Sequence, residues 1–594
     1  MEQQIMQVCV IGAGAAGLTT AKHLLAEGFE VEILEQRDGL GGLWYFGKKS
    51  VGVSAKTTAT SSKTFLQFSD FPMEHEVDHF PHHTAYVKYL TNYAKTNDII
   101  DKIQFDCKVT SLRKQGEGWE ITFDQGGTSK TKHYDGVAVC SGLHHKPLML
   151  DEIPGNDNYE GVKIHSSLLK TVDEFKGKKV VVVGGGESAA DYTHELSKVA
   201  DKTYISLRKG VAVLKRWGLG DLPGDYDSTR AKVWMPREFL HDLNVSCRHK
   251  DEYSAFKTLY TLIGLPIFLL MLPFSPVKTW NVLSTLWDWK SWVALFKAQP
   301  RHGPACGVSL SKACAEICSE TPQTEAELAA KTTKVKRTLE WYSGAMHNSQ
   351  PFTKSPDFLA DIAQGNVEVI PGLVSYPGGK KIEFQGDRVE EIDAIILCTG
   401  FESRLPFLEV PKLDGRTLYK NVFIPEESTL AFIGFARPNI GAMPPIAEMQ
   451  ARWFAGVLAG KLQLPSTEKM QKVSEMDAEV YSTNRKLHAQ RLTSLVDYHA
   501  YLDELASFIG CQPNLWLLIF KPRIFFAVLF GPFASFQYRV HGYGADLEAV
   551  NKAVSDIDAS PKERILQHAI VYFILKPCFM VLDKVGLKRF HPVF

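Results

Sequence analysis

The chain has 594 residues, too many for one ordinary core, so two or three domains are expected. Hydrophobic residues make up 45 % and charged residues 23 %, which is a globular composition and excludes a disordered chain. Basic and acidic residues number 67 each, so the zero formal charge gives a nucleic-acid partner no electrostatic support.

Residues 6–11 read as a short apolar strand, followed at once by Gly12-Ala13-Gly14-Ala15-Ala16-Gly17. The strand begins so near Met1 that no signal peptide is expected. A helical pattern continues through Leu18, Ala21, Leu24 and Leu25, and Gly28 stops it. Residues 31–34 supply the next strand, which ends in Glu35. Strand, glycine turn, helix, strand and acid is the dinucleotide-binding order. Gly12 permits the tight turn, Gly14 lets backbone approach a pyrophosphate, and Gly17 lets helix and strand pack closely. Gly39-Leu40-Gly41-Gly42-Leu43-Trp44 follows, with glycines for close approach and Trp44 to cover a planar ring.

Residues 57–67 form a polar loop. His82 and His83 open an amphipathic helix and read as capping groups rather than metal ligands, because no acid or thiol cluster accompanies them. Residues 103–112, which include Val109, and 119–123 read as a hairpin layer. Residues 134–140 return as a buried strand.

A second fingerprint starts with a strand at 179–183. Gly184-Gly185-Gly186-Glu187-Ser188-Ala189 follows, and Ala189 stands where the first motif has Gly17. The next strand, 203–207, ends in Arg208 instead of an acid. Glu35 repels a 2′-phosphate and binds a free ribose, whereas the fork of Arg208 pairs with a 2′-phosphate. The two sites therefore read as FAD first and NADPH second.

Residues 256–274 are almost uninterruptedly apolar but hold Pro266 and Pro273, too short and broken for a bilayer span. Trp280, Trp287, Trp289 and Trp292 come next among lysines, which suits either a membrane-interface surface or a helical cover over a tunnel. Cys306, Cys314 and Cys318 lack zinc-site spacing, and no metal site is expected. Ten cysteines without regular spacing suit a reducing compartment. Further strands are expected at 367–370, 381–384 and 392–398, the last leading to Thr399-Gly400-Phe401. A long helix is expected over 446–458, then charged and apolar helical segments to the end.

Gly12 to Gly17, Glu35, Gly39 to Trp44 and Ser69-Asp70-Phe71-Pro72 together resemble the flavin-containing monooxygenases of eukaryotic type. Tyr159, Gly161 and His165 resemble that family's linker signature, although Leu169 replaces its closing aromatic. Glu448 to Trp453, Tyr501 to Gly510, Phe530-Gly531-Pro532 and Tyr538-Arg539 extend the resemblance over nearly the whole chain, with 213–350 the weakest part. It implies an α/β fold of two Rossmann-like domains, the second inserted into the first. The expected division is 1–175 and 351–465 for FAD, 176–350 for NADPH with a helical apolar insertion at 213–350, and 466–594 for an apolar helical, membrane-associating region.

The resemblance places FAD on Gly12, Gly14, Ala16, Gly17, Glu35, Gly42, Leu43, Trp44 and Val109. It places NADPH on Gly184, Gly186, Glu187, Ser188, Ala189 and Arg208, with Thr399 and Gly400 between the two. Family members often carry an Asn nine residues before the Ser of the SDFP segment; here that position is Thr60, followed by Ser61, Ser62 and a matching Lys63. These four residues are the candidate catalytic group. Thr offers less reach and fewer donors than Asn, so part of the reducing power is expected to leak as hydrogen peroxide. The implied reaction uses NADPH and oxygen, forms a C4a-hydroperoxyflavin, and oxygenates a soft nitrogen or sulfur nucleophile. Baeyer–Villiger oxygenation of a ketone and a weakly coupled NADPH oxidase are the alternatives. A disulfide reductase would need a redox Cys-x-x-Cys, and the chain has none. Implied partners are molecular oxygen, a small nucleophilic substrate and a membrane surface, without nucleic acid, and the assembly can be a homodimer. In a eukaryote, the implied location is the endoplasmic reticulum membrane with a cytosolic catalytic domain.

Overall fold

A strand buried on both faces must be covered by helices on each side, and two such strands seed two sheets here. The computed structural model describes residues 5–47, 51–144, 146–218, 221–233, 309–343, 352–402, 405–408, 418–438, 441–485, 494–558 and the isolated positions 562, 565 and 569. In the first sheet β1 (Gln7–Ile11) pairs in parallel with β2 (Glu30–Leu34) and with Gly136–Val139, and α1 (Ala15–Ala26) makes the crossover. The full order is Phe423–Ile424, Glu427–Phe432, Gly136–Val139, β1, β2, Ile103–Gln104. The expected hairpin layer is a separate antiparallel sheet of Cys107–Gln115, Gly118–Gln125 and Thr128–Tyr134.

The second sheet is centred on β3 (Lys179–Val183), with α2 (Glu187–Leu196) crossing to β4 (Lys202–Ser206). Its order is Val367–Ile370, β4, β3, Ala394–Leu397, Val162–His165, parallel throughout. This membership moves the expected boundaries. Val162–His165, assigned above to the first unit, is an edge strand of the second. Val367–Ile370 and Ala394–Leu397, assigned to the return into the FAD unit, also belong to the second. The chain rejoins the first sheet only with Phe423–Ile424. An apolar run identifies a buried strand but carries no label for its neighbour, and pairing is decided over distances of hundreds of residues.

Part of the region after 465, expected to be apolar, helical and membrane-associating, is built into the core of the first unit. Helix Tyr498–Ile509 packs on α3 (Met443–Leu458), and Tyr498, Leu502, Leu505 and Phe533 share one core with Val10, Leu18 and Trp453. No helix among the described residues is long and apolar enough to cross a membrane. The apolar run at 256–274, Trp280 to Trp292, Cys306 and the apolar clusters at 570–582 lie outside the described residues.

Candidate active site between two nucleotide folds

Both glycine turns are built by one device. Gly12 has φ +108°, and a Cβ there would stand 2.8 Å from the carbonyl oxygen of Cys140. Gly184 has φ +136°, and its Cβ would stand 2.4 Å from the carbonyl oxygen of Cys398. In each turn only glycine adopts the conformation and clears the neighbouring strand. Gly14 and Gly186 stand at the N-cap positions of the helices that follow, and neither N-terminus has a side-chain cap. Some helices elsewhere are capped, His83–Thr96 by His82 and Tyr498–Ile509 by Asp497, while Phe358–Gln364 and Met443–Leu458 are not. Uncapped first-turn N–H groups need an outside acceptor, and a pyrophosphate supplies one.

The segment 39–44 folds back onto the first turn. The Gly41 N–H donates to the Ala13 carbonyl at 2.9 Å, and a Cβ on Gly42 would come within 3.0 Å of the Gly14 Cα. Leu43 is exposed, and Trp44 is half-buried with its ring edge-on to Tyr86 at 4.9 Å. Ala16 sits on the first turn of α1 against Gly434. Glu35 follows β2 and is buried, with one oxygen accepting from the Ala13 N–H at 2.7 Å and the other from the Arg37 N–H at 2.9 Å. A carboxylate has about four acceptor positions, so two remain for ribose hydroxyls. Val109 is buried in strand Cys107–Gln115 among Leu112, Ile121 and Val137. Ser188 and Arg208 are exposed at the second turn, and Ala189 is fully buried. Among the described residues no carboxylate pairs with Arg208, whose stem packs over Gly372.

Ahead of the short helix Lys63–Leu66, Thr60 is half-buried and Ser61 and Ser62 are buried. The Ser61 hydroxyl donates to the Gly441 carbonyl at 2.9 Å, just ahead of α3, another helix without a side-chain cap. Lys63 leaves this group. Its ammonium donates to the carbonyls of His75 at 2.7 Å and Val77 at 2.6 Å, which fixes a loop on the far side. Glu187 accepts the Lys354 N–H and the Thr353 hydroxyl, each at 2.9 Å, so it anchors protein rather than presenting its carboxylate to a nucleotide. Thr399 donates to the Leu148 carbonyl, and the Gly400 carbonyl lies 3.0 Å from His165 Nε2. His165 is wholly buried, and its Nδ1 lies 2.8 Å from the Ser167 hydroxyl, so both ring nitrogens serve the linker. Burial pushes its pKa down, partly offset by the Gly400 carbonyl.

A family description reading "FMO-like: Flavin-binding monooxygenase-like" matches residues 5–240 and 324–587. The chain belongs to this family. It is 31 % identical to the 4-hydroxybenzoate brominase (decarboxylating) of Pseudoalteromonas luteoviolacea (strain 2ta16), over 90 % of each chain. It is 30 % identical to flavin-containing monooxygenase 3 of Rattus norvegicus, over 96 % of this chain and 95 % of that one. Among solved structures, the S-allyl-L-cysteine S-oxygenase of Allium sativum superposes with TM-score 0.55 at 19 % identity, covering 88 % of this chain and 92 % of that one. Cyclohexanone monooxygenase from Rhodococcus sp. Phi1, bound to NADP+, gives TM-score 0.53 at 16 % identity, covering 85 % of this chain and 97 % of that one. These last two likenesses show the shared fold. As a member of this family, the protein is an NADPH-dependent oxidoreductase with FAD and NADPH as cofactors and oxygen and a small molecule as reactants. The stretch 241–323, which the family description leaves unmatched, falls inside the insertion expected at 213–350.

Two residues that contact Ser61 and Ser62 escaped the sequence. Lys354 Nζ donates to the Ser61 hydroxyl at 3.3 Å across 293 positions of chain, and Asp225 accepts the Ser62 N–H at 2.7 Å across 163. Neither lies in a motif, so only the folded arrangement reveals them. The arginine at the second turn leads to a direct test. A charge-assisted pair with the 2′-phosphate is worth about 1.5–3 kcal/mol. Arg208→Ala should therefore raise the NADPH requirement roughly 10–150-fold and leave the NADH requirement nearly unchanged. Steady-state reduction of the flavin with each nucleotide measures this, and equal losses with both would remove the assignment.

Proposed function

We propose that this flavoprotein oxygenates a soft nitrogen or sulfur nucleophile at the expense of NADPH and oxygen. The observation that carries the reading is the pairing of two uncapped glycine turns, one backed by the buried Glu35 and the other by the exposed Arg208. Bound FAD supplies the redox and oxygen-activating chemistry. The chain's own residues bind and orient. Gly12, Gly14 and Glu35 would hold the dinucleotide, Gly42 and Trp44 would contribute to its binding, and the Ser61–Gly441 hydrogen bond fixes the loop that carries Thr60. Among the described residues no protein nucleophile is needed by this scheme. The names of two similar proteins, an S-oxygenase and a brominase of an electron-rich aromatic, agree with electrophilic transfer to soft or electron-rich atoms. Purified protein with NADPH, oxygen and panels of amines, sulfides and ketones tests this. Substrate-dependent NADPH consumption with N- or S-oxides supports the reading. Esters from ketones would replace it with Baeyer–Villiger chemistry, and peroxide as sole product would leave a weakly coupled oxidase.

We also propose that the protein docks on a membrane, in a eukaryotic cell on the cytosolic face of the endoplasmic reticulum. The support is a projecting corner formed by Leu515–Leu518 and Pro522–Phe530, where Trp516 is 79 % and Phe520 89 % exposed. Leu517, Ile519 and Phe526 are exposed beside them, and Lys521 and Arg523 flank them with positive charge. Exposed aromatic bulk with basic neighbours suits the headgroup boundary. Burying each large ring contributes about 1.5–3 kcal/mol. Trp516→Ala with Phe520→Ala should lower partition onto anionic vesicles at least about tenfold in a flotation assay, with flavin content unchanged. Equal flotation of variant and parent would end this proposal.

A further inference from the structure

Position 60 carries no carboxamide, yet its surroundings are not without a strong donor. Lys354 reaches it from the second nucleotide unit, and three constraints fix that reach. The Lys354 N–H donates to both oxygens of Glu187, the first residue of α2, at 2.9 Å each. Thr353 pairs in a short parallel bridge with Val213, in the segment after β4. The side chain then crosses to the first unit, where Nζ donates to the Ser61 hydroxyl at 3.3 Å. Ser61 in turn donates to Gly441, ahead of the uncapped N-terminus of α3. One residue thus touches the start of the second nucleotide helix through its backbone and the loop of the first nucleotide site through its ammonium.

The surroundings keep that ammonium available. Among the described residues no carboxylate lies within ion-pair distance of it. Two acids are near it: Glu187, whose carboxylate accepts the Lys354 N–H, and Asp225, buried, with one oxygen on the Ser62 N–H at 2.7 Å and the other without a hydrogen-bond partner among the described residues. Burial pushes the Asp225 carboxyl up, and the charge of Lys354 is the largest influence opposing that rise. Two opposite charges therefore stand across Ser61 and Ser62 without direct contact. Such an arrangement is not a closed salt bridge.

We propose that Lys354 replaces the carboxamide missing at position 60 and acts on the bound flavin by charge, with Asp225 as its buried counter-charge. The inference rests on the reading that FAD occupies the first cradle. An amide would offer a neutral hydrogen bond, whereas an ammonium offers a full positive charge. A positive charge beside the flavin favours the more electron-rich reduced form over the oxidised one. Lys354 then carries both a link to the hydride donor's domain and a bias toward reduced flavin.

The test is the midpoint potential of the bound flavin, read by anaerobic spectroelectrochemical titration of holoprotein without substrate. Lys354→Gln keeps a hydrogen-bonding head but no charge. It should lose about tenfold of the preference for reduced flavin, a fall of about 30 mV for a two-electron couple. Lys354→Arg, which restores charge, should stay at the parent value. An unchanged potential in a flavin-loaded Lys354→Gln protein overturns the proposal, and so does an equal fall in Lys354→Arg. If Lys354→Gln and Lys354→Met purify without flavin while Lys354→Arg retains it, retention itself depends on the charge and the proposal stands. If all three lose it, Lys354 has a packing role only and the proposal fails. The parent protein separates this from the wider reading, because flavin content and reduction by NADPH there test the cradle without reference to Lys354.

Discussion

Gly17→Ala should yield protein almost devoid of flavin and of lowered thermal stability. A Cβ at position 17 would stand 1.8 Å from the Gly12 carbonyl oxygen and 2.9 Å from its carbonyl carbon. Both partners are backbone, so no rotamer change relieves the overlap. The helix must move away from β1 or the turn must open. Ordinary overpacking costs about 1–3 kcal/mol, and a backbone-on-backbone clash lies at or above the top of that range. The same displacement carries Gly14 and the uncapped first turn of α1 away from Gly42, which dismantles the flavin cradle. The second turn supplies the control. Ala189 already occupies the equivalent place, fully buried, so that turn has room for a methyl group. Ala189→Gly should cost no more than about 1 kcal/mol from helix propensity and should keep its flavin. Flavin absorbance per mole of protein, with thermal unfolding of both variants, decides. A Gly17→Ala protein with full flavin and parental stability would show that the turn is not as tight as these distances require.

The residues of that turn were legible in the sequence because every constraint on them is local. β1, the turn, α1 and β2 follow one another without interruption, Glu35 sits directly beyond β2, and Arg208 stands two residues beyond β4. Other features were not legible, for a common reason. The strands at 162–165, 367–370 and 394–397 were visible as strands, but their shared sheet was not, because pairing depends on chain segments far apart. Lys63 stands beside Ser62 and matched a family position, yet its own helix turns it toward the carbonyls of His75 and Val77. Glu187 lies inside the glycine fingerprint, yet its carboxylate holds the 353–354 backbone. Adjacency in sequence thus overstated two roles. Separation in sequence hid two others, Lys354 and Asp225, whose partners are found only across the domain junction. The Ser69-Asp70-Phe71-Pro72 segment is a third kind of case, a recognised signature whose physical purpose appears only when the far end of the chain folds onto it.

That purpose sets the second large expected effect, which comes from Arg539. Arg539→Ala should destabilise the fold by about 3–5 kcal/mol, the range for breaking a buried ion pair from one side. Its Nε donates to the Ser69 hydroxyl at 2.6 Å. Its Nη2 reaches Asp70 at 2.8 Å and Glu448 at 2.9 Å, and its Nη1 donates to the Gly544 carbonyl at 2.8 Å. Glu448, on α3, is only 1 % exposed and otherwise accepts from the Ser69 N–H at 2.8 Å and from the Ser69 hydroxyl. Removing the guanidinium leaves that carboxylate buried with one neutral partner residue. Asp70 keeps Lys22, so the greater penalty falls on Glu448. Arg539→Lys restores charge but not the fork, and should recover only part of the loss. The pH dependence carries an independent signature. Burial pushes the Asp70 carboxyl up, but Arg539 and Lys22 beside it hold it below the ordinary carboxylate value. A carboxyl whose folded pKa is depressed adds stability that is complete above the unfolded value of about 3.9. That stability is lost as pH falls through the lower folded pKa. Without Arg539 the folded pKa rises, the stabilising window narrows from below, and acid unfolding should begin at higher pH. Denaturant midpoints near neutrality and acid titration of parent, Arg539→Ala and Arg539→Lys measure both effects. Parental stability in Arg539→Ala would mean that the C-terminal segment holds to the flavin unit through apolar contacts such as Tyr538 and Phe533 alone.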